Sequence, residues 1–281
     1  MTEEPLRTAL ERHGLWAKKS FGQHFLLDLN LTRRIARAAG DLNGRPVIEV
    51  GPGPGGLTRA LLEAGADPLI LIERDPRFAP LLEELAAEVG GRLRLILADA
   101  LEVDERALLA EFGDPGPAAI ISNLPYNVGT PLLVKWLKAS SSWRGPMTLM
   151  FQKEVADRIV ARPGSDAYGR LAVLAQAVCD AQLVLDVPAR AFTPPPKVAS
   201  AVVHLTNRPE PFAALSALEK VTAAAFGQRR KMLRSALKSL GPDAESLILA
   251  AGLDPQSRAE TVSVEGFLAL AKAWHAVQRP A

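Results

Sequence analysis

From Pro46 onward, short apolar runs alternate with longer stretches in which apolar positions recur at helical spacing. The run Val47-Ile48-Glu49-Val50 reads as a buried strand, and a glycine- and proline-rich turn, Gly51-Pro52-Gly53-Pro54-Gly55-Gly56, follows it directly. Residues 57–63 then carry a helical period. Further strands are predicted at 69–72, 93–97, 118–122 and 147–151, with a helix opening at Pro76 and another at Gln152. Proline suits a first helical turn because the N–H it lacks has no intrahelical partner there. Strands separated by helices predict a parallel sheet with crossover helices. Two more strand-like runs, 182–187 and 201–205, flank the stiff loop Phe192-Thr193-Pro194-Pro195-Pro196-Lys197. After Asn207-Arg208-Pro209 only helical periods remain, broken at Gly241-Pro242 and Asp254-Pro255. The expected organisation is an α/β domain over residues 1–207 and a small helical domain over 208–281.

Composition changes this picture little. No run of about 18 apolar residues suggests a membrane span. The acidic start, Met1-Thr2-Glu3-Glu4-Pro5, has no apolar core of a signal peptide. The single cysteine, Cys179, excludes an internal disulfide framework. A cytoplasmic monomer without a metal is the expectation. The formal net charge is only +2, but basic residues gather near the ends. Arg12, Lys18, Lys19, Arg33, Arg34 and Arg37 lie early, and Arg229, Arg230, Lys231, Arg234 and Lys238 lie late. On one face they would attract phosphates, and on separate helices they would be ordinary solvated charges.

Ligands in open α/β sheets bind beyond the carboxyl ends of the strands, where strand order reverses. Gly51, Glu73, Asp99 and Asn123 each follow or end a predicted strand. Glycines let a backbone approach a ligand, and an acid ending the second strand suits ribose hydroxyls. A nicotinamide enzyme shares these features. However, Pro52 and Pro54 remove N–H donors that a pyrophosphate would need, which favours a ligand without phosphates such as S-adenosylmethionine. Asp99 could then accept from an adenine amino group.

Asn123-Leu124-Pro125-Tyr126 carries more specific chemistry. An exocyclic adenine amine is a poor nucleophile because its lone pair is delocalised into the ring. Acceptors for its two N–H groups favour a pyramidal nitrogen with an available pair. The Asn123 amide oxygen and the Leu124 carbonyl suit that task, Pro125 restrains the loop, and Tyr126 can stack on the base. Phe192 heads the proline-rich loop, either as a second stacking ring or as a core residue.

Taken together, several motifs resemble the KsgA-type (RsmA) rRNA adenine dimethyltransferases. They are Phe21-Gly22-Gln23-His24-Phe25-Leu26, Glu49-Val50-Gly51-Pro52-Gly53 and Asn123-Leu124-Pro125-Tyr126-Asn127, then Gln152-Lys153-Glu154-Val155 and Tyr168-Gly169-Arg170-Leu171. Phe192 to Val198 and Phe226-Gly227-Gln228-Arg229-Arg230-Lys231 complete the set. The resemblance implies a class I, Rossmann-like methyltransferase sheet with a small all-helical carboxyl-terminal domain. It implies N6,N6-dimethylation of two adjacent adenines in a hairpin near the 3′ end of small-subunit (16S) rRNA, within a partly assembled subunit. It also implies cofactor contacts at His24, Leu26, Gly51, Gly53, Glu73, Asp99, Ala100 and Asn123. Tyr126 and Phe192 match base-stacking aromatics, and rRNA contacts are expected at Lys197, Arg229, Arg230, Lys231 and Arg234. The family usually has Asn where this chain has His24. Two further readings stay open: an Erm-type methyltransferase of large-subunit rRNA, and an RNA-binding assembly factor with secondary methylation. A DNA adenine methyltransferase fits less well, because those commonly carry an Asp-Pro-Pro-Tyr-like loop.

Overall fold

The computed structural model describes residues 5–16, 24–113, 115–228, 230–241 and 243–278. Lys18, Lys19, Phe21, Gly22, Gln23, Arg229 and Pro242 therefore lie outside the described residues. The chain divides into two compact units, Met1–Ala156 with Gln182–Thr206, and Asp157–Ala181 with Asn207–Ala281. One edge of this partition coincides with the expected boundary near 207. The other groups Asp157–Ala181 with the carboxyl-terminal helices, although these residues precede two strands of the sheet.

The first unit opens with α1 (Leu6–Arg12), β1 (Phe25–Leu26), α2 (Leu29–Ala38), β2 (Val47–Val50) and α3 (Gly56–Glu63). It continues through β3 (Leu69–Glu73), α4 (Ala79–Glu88), β4 (Leu93–Leu97), α5 (Glu105–Ala110), β5 (Ala118–Asn123), α6 (Gly129–Leu137) and β6 (Arg144–Gln152). Helix α7 (Lys153–Val160) crosses the partition, and α8 (Arg170–Gln176) follows it. The chain then forms β7 (Cys179–Val187), β8 (Phe192–Thr193) and β9 (Ser200–Asn207).

Among the described residues, seven strands form one sheet in the order β4-β3-β2-β5-β6-β9-β7. From β4 through β6 the neighbours are parallel, and β9 runs antiparallel to β6. Central β3 is buried along its whole length, whereas edge strand β4 exposes Leu97. That contrast follows from position, since a strand covered on both faces needs a continuous apolar run. Fully burying a Leu or Ile side chain contributes roughly 1.5–3 kcal/mol relative to leaving it exposed. Each predicted central strand therefore has a strong reason to sit where it does. Strand order reverses at β2, which has β3 on one side and β5 on the other. The buried Ser122 hydroxyl donates to the Val50 carbonyl and ties the two strand ends together at that point.

Local chemistry sets the helix starts. Asp28 accepts from the backbone N–H groups of Asn30 and Leu31 at the start of α2, and Asp104 accepts from Ala107 at the start of α5. Such caps satisfy donors that lack intrahelical partners. Helix α1 buries Leu6, Ala9 and Leu10, and Arg12 forms a two-pronged pair with Glu84. Arg33 pairs likewise with Glu63. These two early basic residues are thus partly neutralised within their own unit.

The second unit continues with α9 (Leu215–Gly227), α10 (Leu233–Ala236), α11 (Ala244–Ala250) and α12 (Val264–Gln278). Tyr168 is fully buried, packs edge-on against Phe226 at 5.9 Å and donates its hydroxyl to the Val262 carbonyl at 2.9 Å. Phe226 in turn meets Phe267 at 5.3 Å. Among the described residues, no helix is long and apolar enough to cross a membrane.

Candidate active site

Beyond the carboxyl ends of β2, β3, β4 and β5 lies a cavity of about 300 Å³. It is lined by each residue expected at the cofactor and the reaction centre: His24, Leu26, Gly51, Gly53, Glu73, Asp99, Ala100, Asn123, Leu124, Pro125, Tyr126 and Phe192. The basic residues expected at RNA are elsewhere. Lys197 is exposed on the loop after β8, and Arg230, Lys231 and Arg234 are exposed on the second unit. Arg229 lies outside the described residues.

The glycine loop turns through left-handed conformations at Gly51 (φ 66°), Gly53 (φ 53°) and Gly55 (φ 83°). Its N–H groups are largely used within the protein. Gly51 donates to the Ile72 carbonyl at 2.9 Å, Gly53 to Glu73 at 3.0 Å, and Gly55 to the Pro52 carbonyl at 3.0 Å. These three N–H groups are therefore engaged within the protein. What these glycines offer is close approach. A Cβ on Gly51 would stand 3.3 Å from Pro125, so the glycine loop and the loop after β5 touch here.

Two strand ends present carboxyls. Glu73 is buried at the end of β3, where its second oxygen accepts from the Asp75 N–H at 2.8 Å. Burial raises its pKa, against the lowering effect of the backbone donors around it. Asp99 accepts from the Leu101 N–H at 3.0 Å and pairs with exposed Arg74 at 3.2 Å.

Glu49 is the residue that sequence reasoning left out of the site. It sits inside β2, 1% exposed, lines the cavity and accepts from the Thr58 hydroxyl at 2.7 Å. Burial pushes its carboxyl up to about 8, with Thr58 opposing and the neighbouring Glu73 charge adding to the rise. The available signal was a lone acid within an otherwise apolar strand run, which needs a partner when buried. Val128 and Leu132 at the start of α6 also line the cavity, and nothing in their local pattern distinguished them from core.

On the reaction side, the Asn123 side-chain amide has no hydrogen-bond partner among the described residues, and no turn or loop bond ends on the Leu124 carbonyl. Both acceptors therefore remain available. The Pro125 carbonyl is engaged instead, by Val128 and Gly129 at 3.1 Å each, which closes the loop onto α6. Tyr126 is half-buried, with its hydroxyl 2.8 Å from the Ser200 hydroxyl oxygen. Burial raises its pKa, and the bond to Ser200 works against that rise.

Phe192 is 2% exposed and belongs to the core while still reaching the cavity. It is placed by a two-stranded sheet in which Leu26 pairs with Phe192 and Phe25 with Thr193. His24 sits just before that sheet. Its Nδ1 lies 2.7 Å from the Pro194 carbonyl oxygen, and an oxygen that can only accept places the proton on Nδ1. His24 also lines the cavity. The His24 ring stands 5.8 Å from Tyr126 and 6.5 Å from Phe192, so three rings cluster around one end of the pocket.

These features suit one ligand class. Carboxyls at two neighbouring strand ends, with Glu49 inside the strand beside them, suit positive charge and hydrogen-bond donors, and apolar Ile72, Val128 and Leu132 line the same space. Beside them, the Asn123 amide at the end of β5, without a hydrogen-bond partner among the described residues, lines the same space.

A sequence profile of the ribosomal RNA adenine dimethylases matches residues 14–275. The chain belongs to that family. It is similar to the ribosomal RNA small subunit methyltransferase A of Phenylobacterium zucineum (strain HLK1), 66% identical over 273 residues, covering 96% of this chain and 92% of the relative. The counterpart from Rhodospirillum rubrum is 58% identical over 271 residues, covering 96% and 92%. Among solved structures, the 23S rRNA methyltransferase ErmE is 28% identical, with a TM-score of 0.65 over 89% of this chain and 99% of that one. A dimethyladenosine transferase from Plasmodium falciparum shares the fold, with a TM-score of 0.73 at 24% identity over 88% and 96% of the chains. As a ribosomal RNA adenine dimethylase, the protein is an enzyme with the class I methyltransferase fold, and its methyl donor is S-adenosylmethionine. The much higher identity to small-subunit methyltransferases than to ErmE decides against the Erm-type reading.

The Glu49 carboxyl gives the dimethylase a pH signature. Its ordinary value of 4.5 rises to about 8 in the fold, so the folded state holds this proton more tightly than the unfolded chain. The associated stability is fully present below pH 4.5 and is lost as pH rises through about 8. In the ligand-free enzyme, Glu49→Gln is expected to flatten thermal stability over this window. Some slope remains from Glu73, whose pKa shifts in the same direction. An unchanged profile by calorimetry would show that Glu49 is not held protonated.

Proposed function

We propose that the enzyme methylates N6 of two adjacent adenines in a hairpin near the 3′ end of small-subunit (16S) rRNA, giving dimethyladenosines during subunit biogenesis. The observation that carries this reading is the 66% identity, over nearly the whole chain, to a small-subunit methyltransferase A. It is supported by Asn123 and Leu124 lining the cavity, with acceptors that no described residue engages.

S-adenosylmethionine supplies an electrophilic methyl group on a sulfonium. Glu73 accepts from the ribose hydroxyls and Asp99 from the adenine amine, while Ala100 lines the same end. Glu49, relieved of its proton, faces the positive charge at the methionine end together with Gly51, Gly53, His24 and Leu26. The target adenine enters from the ring cluster, stacked on Tyr126 and bounded by Phe192. Its two N6–H groups donate to the Asn123 amide oxygen and the Leu124 carbonyl, which directs the nitrogen lone pair at the methyl group. Preorganised acceptors of this kind stabilise the charge that develops on nitrogen, and in-line placement removes most of the entropic barrier. A paired adenine hides this amine, so the target is presented unpaired.

The helical residues 208–281 act as the rRNA-contacting domain, with Arg229, Arg230, Lys231, Arg234 and the exposed Lys197 on phosphates. A cytoplasmic monomer acting on the subunit precursor completes the reading. Incubation with labelled S-adenosylmethionine and undermethylated small subunits should place label in dimethyladenosine at adjacent 16S positions after nucleoside mapping. Absence of dimethyladenosine, or label placed at other 16S positions, would overturn the assignment.

A further inference from the structure

Helix α6 does more than follow the Asn123 loop. Its first turn closes that loop through Gly129, and two turns later Lys135 reaches to the opposite side of the pocket. The Lys135 ammonium donates to the Ala100 carbonyl at 2.7 Å, the Val103 carbonyl at 2.6 Å and Glu105 Oε1 at 2.8 Å. An ammonium has three hydrogens, and all three are used within the chain. The receiving carboxylate is itself buried, and the same oxygen accepts from the Trp136 indole N–H at 2.8 Å.

The loop gripped in this way begins at Asp99 and ends where Asp104 caps α5. Within it, the Leu101 N–H donates to the Asp99 side chain and the Glu102 N–H to the Asp99 carbonyl. Ala98 is held by the Glu73 carbonyl, but the Ala100 and Val103 carbonyls point to Lys135 rather than to a sheet neighbour. Among the described residues, edge strand β4 has no neighbour on its outer side, so the sheet alone cannot fix the loop at its carboxyl end.

We propose that Lys135 is a positioning residue for the cofactor. It holds the Asp99–Val103 loop in register with the Asn123 loop, so that one helix sets the distance between the adenine end of the donor and the reaction centre. This rests on the reading that Asp99 accepts from the donor's adenine. Charge makes lysine effective here, because charge-assisted bonds to two carbonyls resist competition from water.

Lys135→Met alone would leave Glu105 buried with one partner lost, a change that can unfold a site for unrelated reasons. The informative variant is therefore Lys135→Met combined with Glu105→Gln, with Lys135→Arg as the conservative control. Two readouts are free of catalysis. Amide hydrogen exchange of Leu101 and Glu102 in the ligand-free double variant is expected to accelerate while exchange in β2 and β3 stays slow. Affinity for S-adenosylhomocysteine is expected to fall about tenfold, the loss that accompanies roughly one charge-assisted hydrogen bond. Affinity for its 6-oxo analogue, S-inosylhomocysteine, should fall much less, so the preference for adenine collapses, and Lys135→Arg should restore part of it.

Unchanged exchange and an unchanged adenine preference in the double variant would overturn the role of Lys135. Asp99→Asn distinguishes the underlying reading, because an amide there should shift preference toward the 6-oxo base. If Asp99→Asn leaves the preference intact, the adenine is read elsewhere and the proposal falls with that placement.

Discussion

Asn123→Ala is expected to lower the methylation rate roughly 10²- to 10³-fold, the usual effect of removing one preorganised polar group from a reaction centre. The Asn123 amide ends β5, lines the cavity and has no hydrogen-bond partner among the described residues. Its truncation therefore breaks no internal bond, and stability should stay within about 0.5 kcal/mol of wild type, as for substitutions away from packed or paired positions. The combination is the test: a collapsed single-turnover rate on undermethylated subunits, with an unchanged melting temperature and retained subunit binding. A variant that methylates at the wild-type rate would remove Asn123 from the chemistry. A large fall in stability would instead show that the amide supports the fold.

Gly56→Ala is expected to act through the fold. A Cβ at this position would overlap the Leu26 carbonyl oxygen and stand 3.1 Å from a Leu6 methyl. Leu6 can rotate away, but the carbonyl belongs to β1, which is paired to β8. Either α3 or β1 must move. Over-packing of this kind costs about 1–3 kcal/mol, and both elements line the cofactor cavity, so donor affinity should fall with stability. Calorimetry and titration with S-adenosylhomocysteine should report both losses. Gly227→Ala, whose added Cβ meets nothing within 4 Å, provides the control. Equal behaviour of the two variants would mean that α3 and β1 are not in close contact.

Much of the site was legible because strand ends can be read locally. A buried run followed by glycines, an acid or an asparagine marks a loop at the carboxyl edge of a sheet, and the cavity lining contains Gly51, Glu73, Asp99 and Asn123 together. Glu49 was harder to place, since its role depends on what surrounds it. The raised pKa comes from burial and from Glu73, neither of which a strand pattern records. Lys135 was not legible at all. On its helix it reads as a surface lysine, and its bonds join it to carbonyls more than thirty residues earlier in the chain.

The sequence by itself determined the parallel sheet, the glycine turn, the carboxyls at the strand ends and the Asn-Leu-Pro-Tyr loop. Period, turn chemistry and residue type act over a few neighbouring residues, so they survive without knowledge of the fold. Only the tertiary structure decided that His24 meets Pro194, 170 residues away, and that Leu26 pairs with Phe192. It also decided that Asp157–Ala181 groups with the carboxyl-terminal helices. Those outcomes depend on which buried surfaces fit each other, a property of the packed chain that no local pattern encodes.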